Sequence, residues 1–411
     1  MKQSNEMIKM AVLGYGTVGS GVVEVIETNK EEVSKKANAE LSVKYILDIR
    51  KFPGDAYEDK IIDDFEIILN DPEVRIICEA MGGVNPAYDF TKRALLLGKS
   101  VCTSNKELVA SHGPELLKIA DEKKCNYLFE ASVGGGIPII RPLNYSLTAE
   151  KIDEIIGILN GTTNFILSKM EKEGADFADV LKEAQDLGYA EQDPSADVDG
   201  HDACRKLAIL SSLMTTNNVD YKQIYTEGIT KLTKQDFDYA NSINMTIKLL
   251  AMSRYDKDGN FYACVAPFML SKEHPLYFVN GVYNGIYVHG NMAGYSMYYG
   301  KGAGKLPTAS AVVSDVIDCA RHLGKTVMIF WDKKNVDVAP FKNRTGQFFV
   351  RVSDDPKSIR SVSELFIGLK TVPPVISGEY AFVTEAMSEE QFASKIEQIP
   401  NGIINRIRMS T

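Results

Sequence analysis

The chain has 411 residues, 45% of them hydrophobic and 25% charged, the balance of a globular protein able to bury large cores, and at roughly 100–200 residues per domain it predicts two to four domains. Its 46 Lys and Arg against 55 Asp and Glu leave a net charge of −9 without a basic cluster, which speaks against nucleic acid or an anionic membrane surface as partner. No apolar run approaches the ~20 residues that span a bilayer, the start "MKQSNEMIKMAVLGYG" is no signal peptide, and six scattered cysteines without Cys-x-x-Cys fit reduced thiols in a cytoplasmic protein.

The first 140 residues alternate strands and helices. "IKMAVLGYGTVGSGVVEVI" reads as strand, glycine turn and amphipathic helix, with Gly14, Gly16 and Gly19 in the Gly-x-Gly-x-x-Gly spacing of a dinucleotide-binding turn. Gly14 permits the tight turn, Gly16 lets backbone approach a pyrophosphate, and Gly19 lets helix pack on strand. The free N–H groups at the helix start then face phosphate. "LSVKYILD", "VRIICEAMGG", "SVCTSNK" and "NYLFEA" continue as strands, with helices over "PAYDFTKRALLLGK" and "PELLKIADEKK" between them. This order predicts an α/β fold with a Rossmann-like, doubly wound parallel sheet. Ligands bind such sheets at the carboxyl ends of the strands, here the glycine loop, Gly82, Gly83, Ser104, Asn105, Lys106 and Glu130. Asp48 ends the second strand, where a carboxylate favours NAD, but Arg50 and Lys51 follow and could take the 2′-phosphate of NADP; dual use fits both. Asp48 lies further from Gly19 than the usual ~20 residues, so the first helix or its following loop is expected to be extended.

From about residue 142 the pattern changes. "KIDEIIGILNGTTNFILSKMEKEG" is a strand-like run, a polar loop and a helix, and "DFADVLKEAQDLGY" is a further helix with Asp176 as candidate N-cap. Then five carboxylates, Glu191, Asp193, Asp197, Asp199 and Asp202, fall within twelve residues before a helix expected from about Asp202 to Leu213. Ser195, Asp197, Asp199 and Gly200 match positions 1, 3, 5 and 6 of a calcium loop, but position 12 is Lys206, a cation that would repel the ion. Asp202 and Lys206 stand four apart and share a helix face, whereas Leu207, Leu210 and Leu213 point to a core. Carboxylates around a lysine can keep it charged, orient it for proton transfer, or bind a substrate ammonium. A solvated acidic loop with a helical ion pair worth ~0.3–0.5 kcal/mol is the plainer alternative.

"YFVNGVYNGIYVHGNMAGYSMYYG" alternates like sheet hairpins, a core or dimer surface, and "GKGAGKLPTASAVVSDVIDCA" is a glycine loop feeding a helix. After about residue 335 the order is strand, helix, strand, helix, strand, with "TVPPVISG" too short and Pro-rich for a full strand.

Six stretches decide between these readings. "LGYGTVGSG", "TSNKELVA", "FEASVGGGIPII", "GILNGTTNFILSKM", "AQDLGYAEQDPSADVDGHDACRKLAIL" and "YYGKGAGKLPTASAVVSDV" together resemble homoserine dehydrogenase, in that family's order over roughly residues 8 to 325. The resemblance implies NAD(P)H-dependent interconversion of L-aspartate 4-semialdehyde and L-homoserine, in threonine, methionine and isoleucine biosynthesis. It implies Lys206 as proton donor or acceptor, with Lys106 sharing the role beside nicotinamide and substrate. Glu191 and Asp202 match substrate-binding carboxylates, with Asp197 beside them. Cofactor positions carried over are Gly14, Tyr15, Gly16, Thr17, Val18, Gly19, Ser104, Lys106 and Gly302. A monovalent cation, usually sodium, matches Glu130 and the carbonyls of Val133, Gly135 and Ile137; a glycine hinge there is a compatible reading. The implied domains are residues 1–141 for nucleotide, completed by about 300–325; 142–299, an α+β domain for substrate and dimerisation; and 335–411, a small ACT-like α+β domain. The "DDPKSIR" turn lacks the glycine common at an ACT effector turn, so threonine binding, interaction without effector, and simple packing all stay open. A homodimer or higher homo-oligomer is expected.

Two rivals remain. An aldehyde-oxidising dehydrogenase needs a nucleophilic cysteine with a base, and neither Cys102 nor Cys204 has an obvious histidine partner, His201 lying three residues from Cys204. A non-catalytic sensor has no need of the lysines and carboxylates at 106, 191, 202 and 206.

Overall fold

Met7–Leu13, the first apolar run, is strand β1 in the computed structural model, which describes residues 7–410. It lies at the centre of a six-stranded sheet with β2 (Glu40–Leu47), β3 (Ile61–Ile62), β4 (Val74–Glu79), β5 (Ser100–Thr103) and β6 (Tyr127–Leu128), in the order β3-β2-β1-β4-β5-β6. Every pairing is parallel. Buried on both faces, these strands read as near-continuous apolar runs; Ile76, Ile77 and Cys78 are fully buried. The order reverses between β1 and β4, and the crevice at that reversal is where such sheets bind ligands. Helix α1 (Thr17–Thr28) follows β1, and an additional helix over Lys30–Ala37 supplies the extra length before Asp48. The helix Lys305–Arg321 returns to this unit, and its Val312, Val313 and Val316 share a core with Val12, Val22 and Ile26. The first compact unit comprises Met1–Glu150, Ala208–Asp220 and Gly300–Val336.

Glu79, the last residue of β4, is fully buried and ties two loops together. Its carboxylate accepts from Met81 N–H at 2.7 Å and from the Thr103 hydroxyl at 2.5 Å. Thr103 Oγ1 in turn accepts from Asn105 N–H, and the Asn105 amide donates to Gly83 O at 2.6 Å. Burial pushes the Glu79 carboxyl up to about 7 against these hydrogen bonds.

The second unit comprises Lys151–Leu207, Tyr221–Tyr299 and Asp337–Thr411. Its strands are β7 (Ile152–Ile158), β8 (Met245–Tyr255), β9 (Phe261–Ser271), β10 (Tyr283–Gly290), β11 (Gly294–Lys301), β12 (Phe348–Ser353), β13 (Lys370–Val372), β14 (Glu379–Val383) and β15 (Asn405–Ser410). They form one sheet in the order β11-β10-β7-β8-β9-β15-β12-β14-β13. The tyrosine-rich run is thus the hairpin of β10 and β11, and along β11 every second residue is exposed.

The last four strands, with helices over Pro356–Leu365 and Glu389–Ile396, make a βαββαβ unit in the spatial order fourth, first, third, second. Its own core holds Phe348, Val350, Phe366, Phe382 and Phe392. Lys370–Val372 forms the short second strand, taking in only the first two residues of "TVPPVISG", just ahead of the prolines that end it. The unit joins the larger sheet by parallel pairing of Phe268–Leu270 with Arg408–Ser410. Buried arginines cross the junction. Arg351 donates to Asp236 at 2.6 Å and to both oxygens of Glu379, and Asp236 is fully buried.

Two outcomes follow for stability. Arg351→Ala leaves the Asp236 carboxylate buried beside no guanidinium and is expected to cost about 3–5 kcal/mol in urea unfolding; a loss near zero would mean the pair is solvated. Folded Glu79 keeps a proton that the unfolded chain releases at its ordinary value of 4.5, so its contribution to stability falls as pH rises to about 7 and is constant above. Relative to Glu79→Gln, wild type should lose about 3 kcal/mol over that window, measured by unfolding at both ends; parallel pH profiles would contradict the assignment.

Candidate active site

The glycine turn has the form a dinucleotide requires. Gly14 has φ +89°, and its N–H donates to Leu47 O while Ala80 N–H donates to Leu13 O. A Cβ on Gly19 would stand 1.8 Å from Gly14 O, so only glycine lets α1 sit this close to β1. Gly16 occupies the N-cap of α1 without a capping side chain, and no acidic residue lies in the first turn, which Thr17 and half-buried Val18 begin. The helix start therefore presents free N–H groups to an anion. Tyr15 N–H donates to Asp48 Oδ2 at 2.8 Å, and its ring stands edge-on to Phe52. Arg50 donates to both Asp48 oxygens, at 2.9 and 2.8 Å, and this guanidinium holds the carboxyl well below the usual carboxylate range. One guanidinium nitrogen lies 3.8 Å from where a Gly16 Cβ would be. An open cleft of about 680 Å³ runs along this end of α1, lined by Tyr15, Gly16, Thr17, Phe52 and Lys305 among others. These features fit a nicotinamide dinucleotide.

Ser104 and Lys106 lie on the loop that Glu79 fixes. Ser104 N–H donates to Glu79 O at 3.4 Å. Asn105 caps the helix Lys106–Glu122 by accepting from Leu108 N–H, which makes half-buried Lys106 the first helical residue.

Glu130 opens the glycine-rich loop and is 3% exposed. Its two oxygens accept three backbone N–H groups, from Ile139, Ile140 and Arg141, at 2.6–2.9 Å. Burial raises its carboxyl, opposed by those hydrogen bonds and the Arg141 charge. The carbonyls of Val133, Gly135 and Ile137 accept no backbone hydrogen bond among the described residues, although all three residues are buried. Carbonyl oxygens without a backbone partner in a buried loop are ligands of the kind a hard cation takes. Gly135 has φ +52°, and a Cβ on it would meet Gly302 O at 2.5 Å. The Gly135 loop and the Gly302 loop, far apart in sequence, are therefore packed backbone to backbone.

In the second unit Asn160 caps the helix Gly161–Glu173, its Oδ1 accepting from Thr163 N–H at 2.8 Å. Its Nδ2 donates to Asp197 Oδ1 at 2.7 Å and to Asp202 Oδ2 at 2.8 Å. Asp202 lies on the helix His201–Thr215, one turn before Lys206. Lys206 Nζ donates to Asp202 Oδ2 at 2.7 Å and to Leu159 O at 2.9 Å, and its side chain is 12% exposed. Asp197, Asp202 and Lys206 thus form one hydrogen-bonded group. Glu191 is exposed and outside it; the Gln185 amide fastens its backbone carbonyl. The stretch expected as an open loop contains one helical turn, Ser195–Val198, after Pro194, and Asp176 holds its N-cap position without a side-chain bond. Lys106 belongs to the first unit and Lys206 to the second. Asn160 and Glu79 were not among the expected site residues. A polar residue before "GTTNF" signals a helix cap, but nothing local signals its reach to Asp197 and Asp202, 37 and 42 residues on.

Comparison with known proteins agrees with this geometry. The family model of the homoserine dehydrogenase NAD-binding domain matches residues 14–130, and the homoserine dehydrogenase model matches 138–317. A homoserine dehydrogenase of Synechocystis is 42% identical over 84% of this chain and 79% of its own length, and that of Bacillus subtilis 38% over 87% and 84%. Among solved structures, a homoserine dehydrogenase from Thiobacillus denitrificans superposes with a TM-score of 0.89 at 34% identity, covering 99% of both chains. A hyperthermophilic archaeal homoserine dehydrogenase in complex with NADPH gives 0.63 at 28% identity, covering 76% of this chain and 97% of its own. With the parallel nucleotide sheet, the glycine turn and the lysine–carboxylate group all in place, the chain belongs to the homoserine dehydrogenase family, NAD(P)-dependent oxidoreductases.

Proposed function

We propose that the chain interconverts L-aspartate 4-semialdehyde and L-homoserine, with Lys206 moving the proton of the hydroxyl. One observation carries the role of Lys206. An ammonium has three donors, and two are spent, on Asp202 and on Leu159 O. The third remains for a substrate oxygen, and the bound pair fixes where it points. When bound, the dinucleotide supplies or accepts the hydride. Lys206 gives its proton to the carbonyl oxygen in reduction and takes it back in oxidation. Asp197 and Asp202 hold the substrate ammonium, with Glu191 closing over it from the exposed loop. Lys106, starting its helix on the loop fixed by Glu79, orients the substrate at the nicotinamide. Gly14, Gly16 and Gly302 let the main chain approach the cofactor, and Gly19 lets α1 pack on β1 beneath it. Glu130 and the carbonyls of Val133, Gly135 and Ile137 hold a monovalent cation that stiffens the loop against Gly302.

NADP or NAD can serve: the Asp48–Arg50 pair offers both a carboxylate for ribose and a guanidinium for a 2′-phosphate. Residues 1–141 with about 300–325 bind nucleotide, 142–299 bind substrate and dimerise, and 335–411 are an ACT-like module, a reading supported by its βαββαβ order. Exposed Tyr283, Tyr295, Met297 and Tyr299 of the hairpin, with Tyr283 stacked on Tyr299 and half-buried Tyr287 stacked on Tyr295, supply the apolar surface of a homodimer. Six free, buried cysteines suit a cytoplasmic setting.

Purified protein with L-homoserine and NADP or NAD should reduce the nicotinamide, followed by absorbance. Lys206→Met should lower kcat by ~10²–10⁴-fold with cofactor affinity retained. Silence of wild type with both cofactors, in both directions and with sodium or potassium present, would end this reading in favour of a sensor. Arg50→Ala should weaken NADP relative to NAD roughly 10- to 100-fold; an unchanged ratio would remove Arg50 from cofactor selection.

A further inference from the structure

Glu227 lies outside the group around Lys206, yet it stands between that group and the C-terminal strand. We propose that Glu227 is a positioning residue through which β15 fixes the acidic loop, and with it Asp202 and Lys206, for the substrate. The inference rests on the assignment of that loop to the substrate.

The contacts run in an unbroken series within one compact unit. Arg406 grips Glu227 with both guanidinium nitrogens, at 3.0 Å each, and Arg408 adds a third hydrogen bond at 2.7 Å. The Tyr225 hydroxyl donates a fourth, at 2.8 Å. Burial pushes the Glu227 carboxyl up, but the charges of Arg408 and Arg406 outweigh it and leave it at about 2, so the group is ionised throughout the working range. Arg408 is itself 1% exposed and also binds Glu389, and its guanidinium lies over the stacked rings of Tyr225 and Phe341. The carboxylate of Glu227 is thus held by the tail, while its backbone N–H donates to Val265 O.

The next residue passes the constraint on. A Cβ on Gly228 would stand 2.1 Å from Val198 O and 2.5 Å from Asp199 Cα, so the two backbones touch directly. Ile229 N–H donates to the same Val198 carbonyl at 2.8 Å. Gly200, at φ +85°, is wedged against Thr226 Cγ2 and Val265 Cγ1, and its carbonyl accepts from Cys204 N–H in the first turn of the Lys206 helix. Val198 and Asp199 lie between Asp197 and Asp202. A shift of Glu227 therefore moves the backbone that carries both carboxylates.

The test uses the full chain with Arg406→Ala, Arg406→Lys and Gly228→Ala. Arg406 is the more exposed of the two arginines, so its loss leaves Arg408 in place and the fold intact. Arg406→Ala and Gly228→Ala should raise KM for L-homoserine roughly 2- to 30-fold, with the dissociation constant for NADPH, read by fluorescence titration, unchanged. Arg406→Lys should restore part of the loss. Independently of activity, backbone hydrogen exchange over residues 195–206 should quicken in Arg406→Ala. Unchanged exchange, or an unchanged KM in folded Arg406→Ala, overturns the proposal whatever Gly228→Ala does. Lys206→Met in the same assay separates the two ideas. Full turnover by that variant sinks the functional reading. Lost turnover with an indifferent Arg406→Ala sinks only the role of Glu227.

Discussion

Asn160 uses both ends of its amide at once. Its oxygen starts a helix, and its nitrogen holds two carboxylates, one from the helical turn Ser195–Val198 and one from the helix His201–Thr215. Two like charges brought this near repel unless donors lie between them. The amide nitrogen lies between them, and the Lys206 ammonium adds a positive charge on Asp202. The group can form only because one residue satisfies a helix end while screening the acids. The helix cap thus fixes the position of the carboxylates, and the carboxylates fix that of the lysine. This is preorganisation by shared donors, in which no side chain needs to move for the ammonium to face its partner.

The nucleotide half relies on backbone approach instead. Gly19 against Gly14, and Gly135 against Gly302, are places where any side chain would collide with a carbonyl. Close packing of main chain on main chain leaves N–H and C=O groups aimed outward with little freedom. Asp48 is the exception. It binds the Tyr15 N–H of the turn and the guanidinium of Arg50 together, so the turn's shape and the local charge are set by one carboxylate.

How far the sequence reveals this depends on distance along the chain. The strand–turn–helix around Gly14, Gly16 and Gly19 is legible because its constraints are local and glycine is the only residue that satisfies them. The alternation of strands and helices gives the parallel sheet, and the long gap before Asp48 signals extra length, which a separate helix at Lys30–Ala37 fills rather than a longer first helix or loop. Asp202 and Lys206 announce themselves by helical spacing. Asn160, Glu79 and Glu227 do not, since each acts through partners far away; Glu227 meets Arg406 across 179 residues. A carboxylate in sequence looks the same whether it is solvated or gripped by two guanidinium groups. Glu191 shows the opposite case, a member of the acidic run that the geometry leaves exposed. The short strand at Lys370–Val372 was hidden because three residues carry too little pattern to read.

The outer side of β9 is covered along its length by three separate segments. Val338 bridges to Phe261, Tyr225–Thr226 pair with Cys264–Val265, and Arg408–Ser410 pair with Phe268–Leu270. An uncovered strand edge is a template for another chain. Here the cover is supplied by pieces that arrive at different times in synthesis, the last of them at the very end of the described chain. Until that strand is made, the Phe268–Leu270 part of the edge waits unpaired beside an apolar face. The tail therefore acts as the closure that ends exposure of a sticky surface, and a nascent chain stalled before it would carry an open seam.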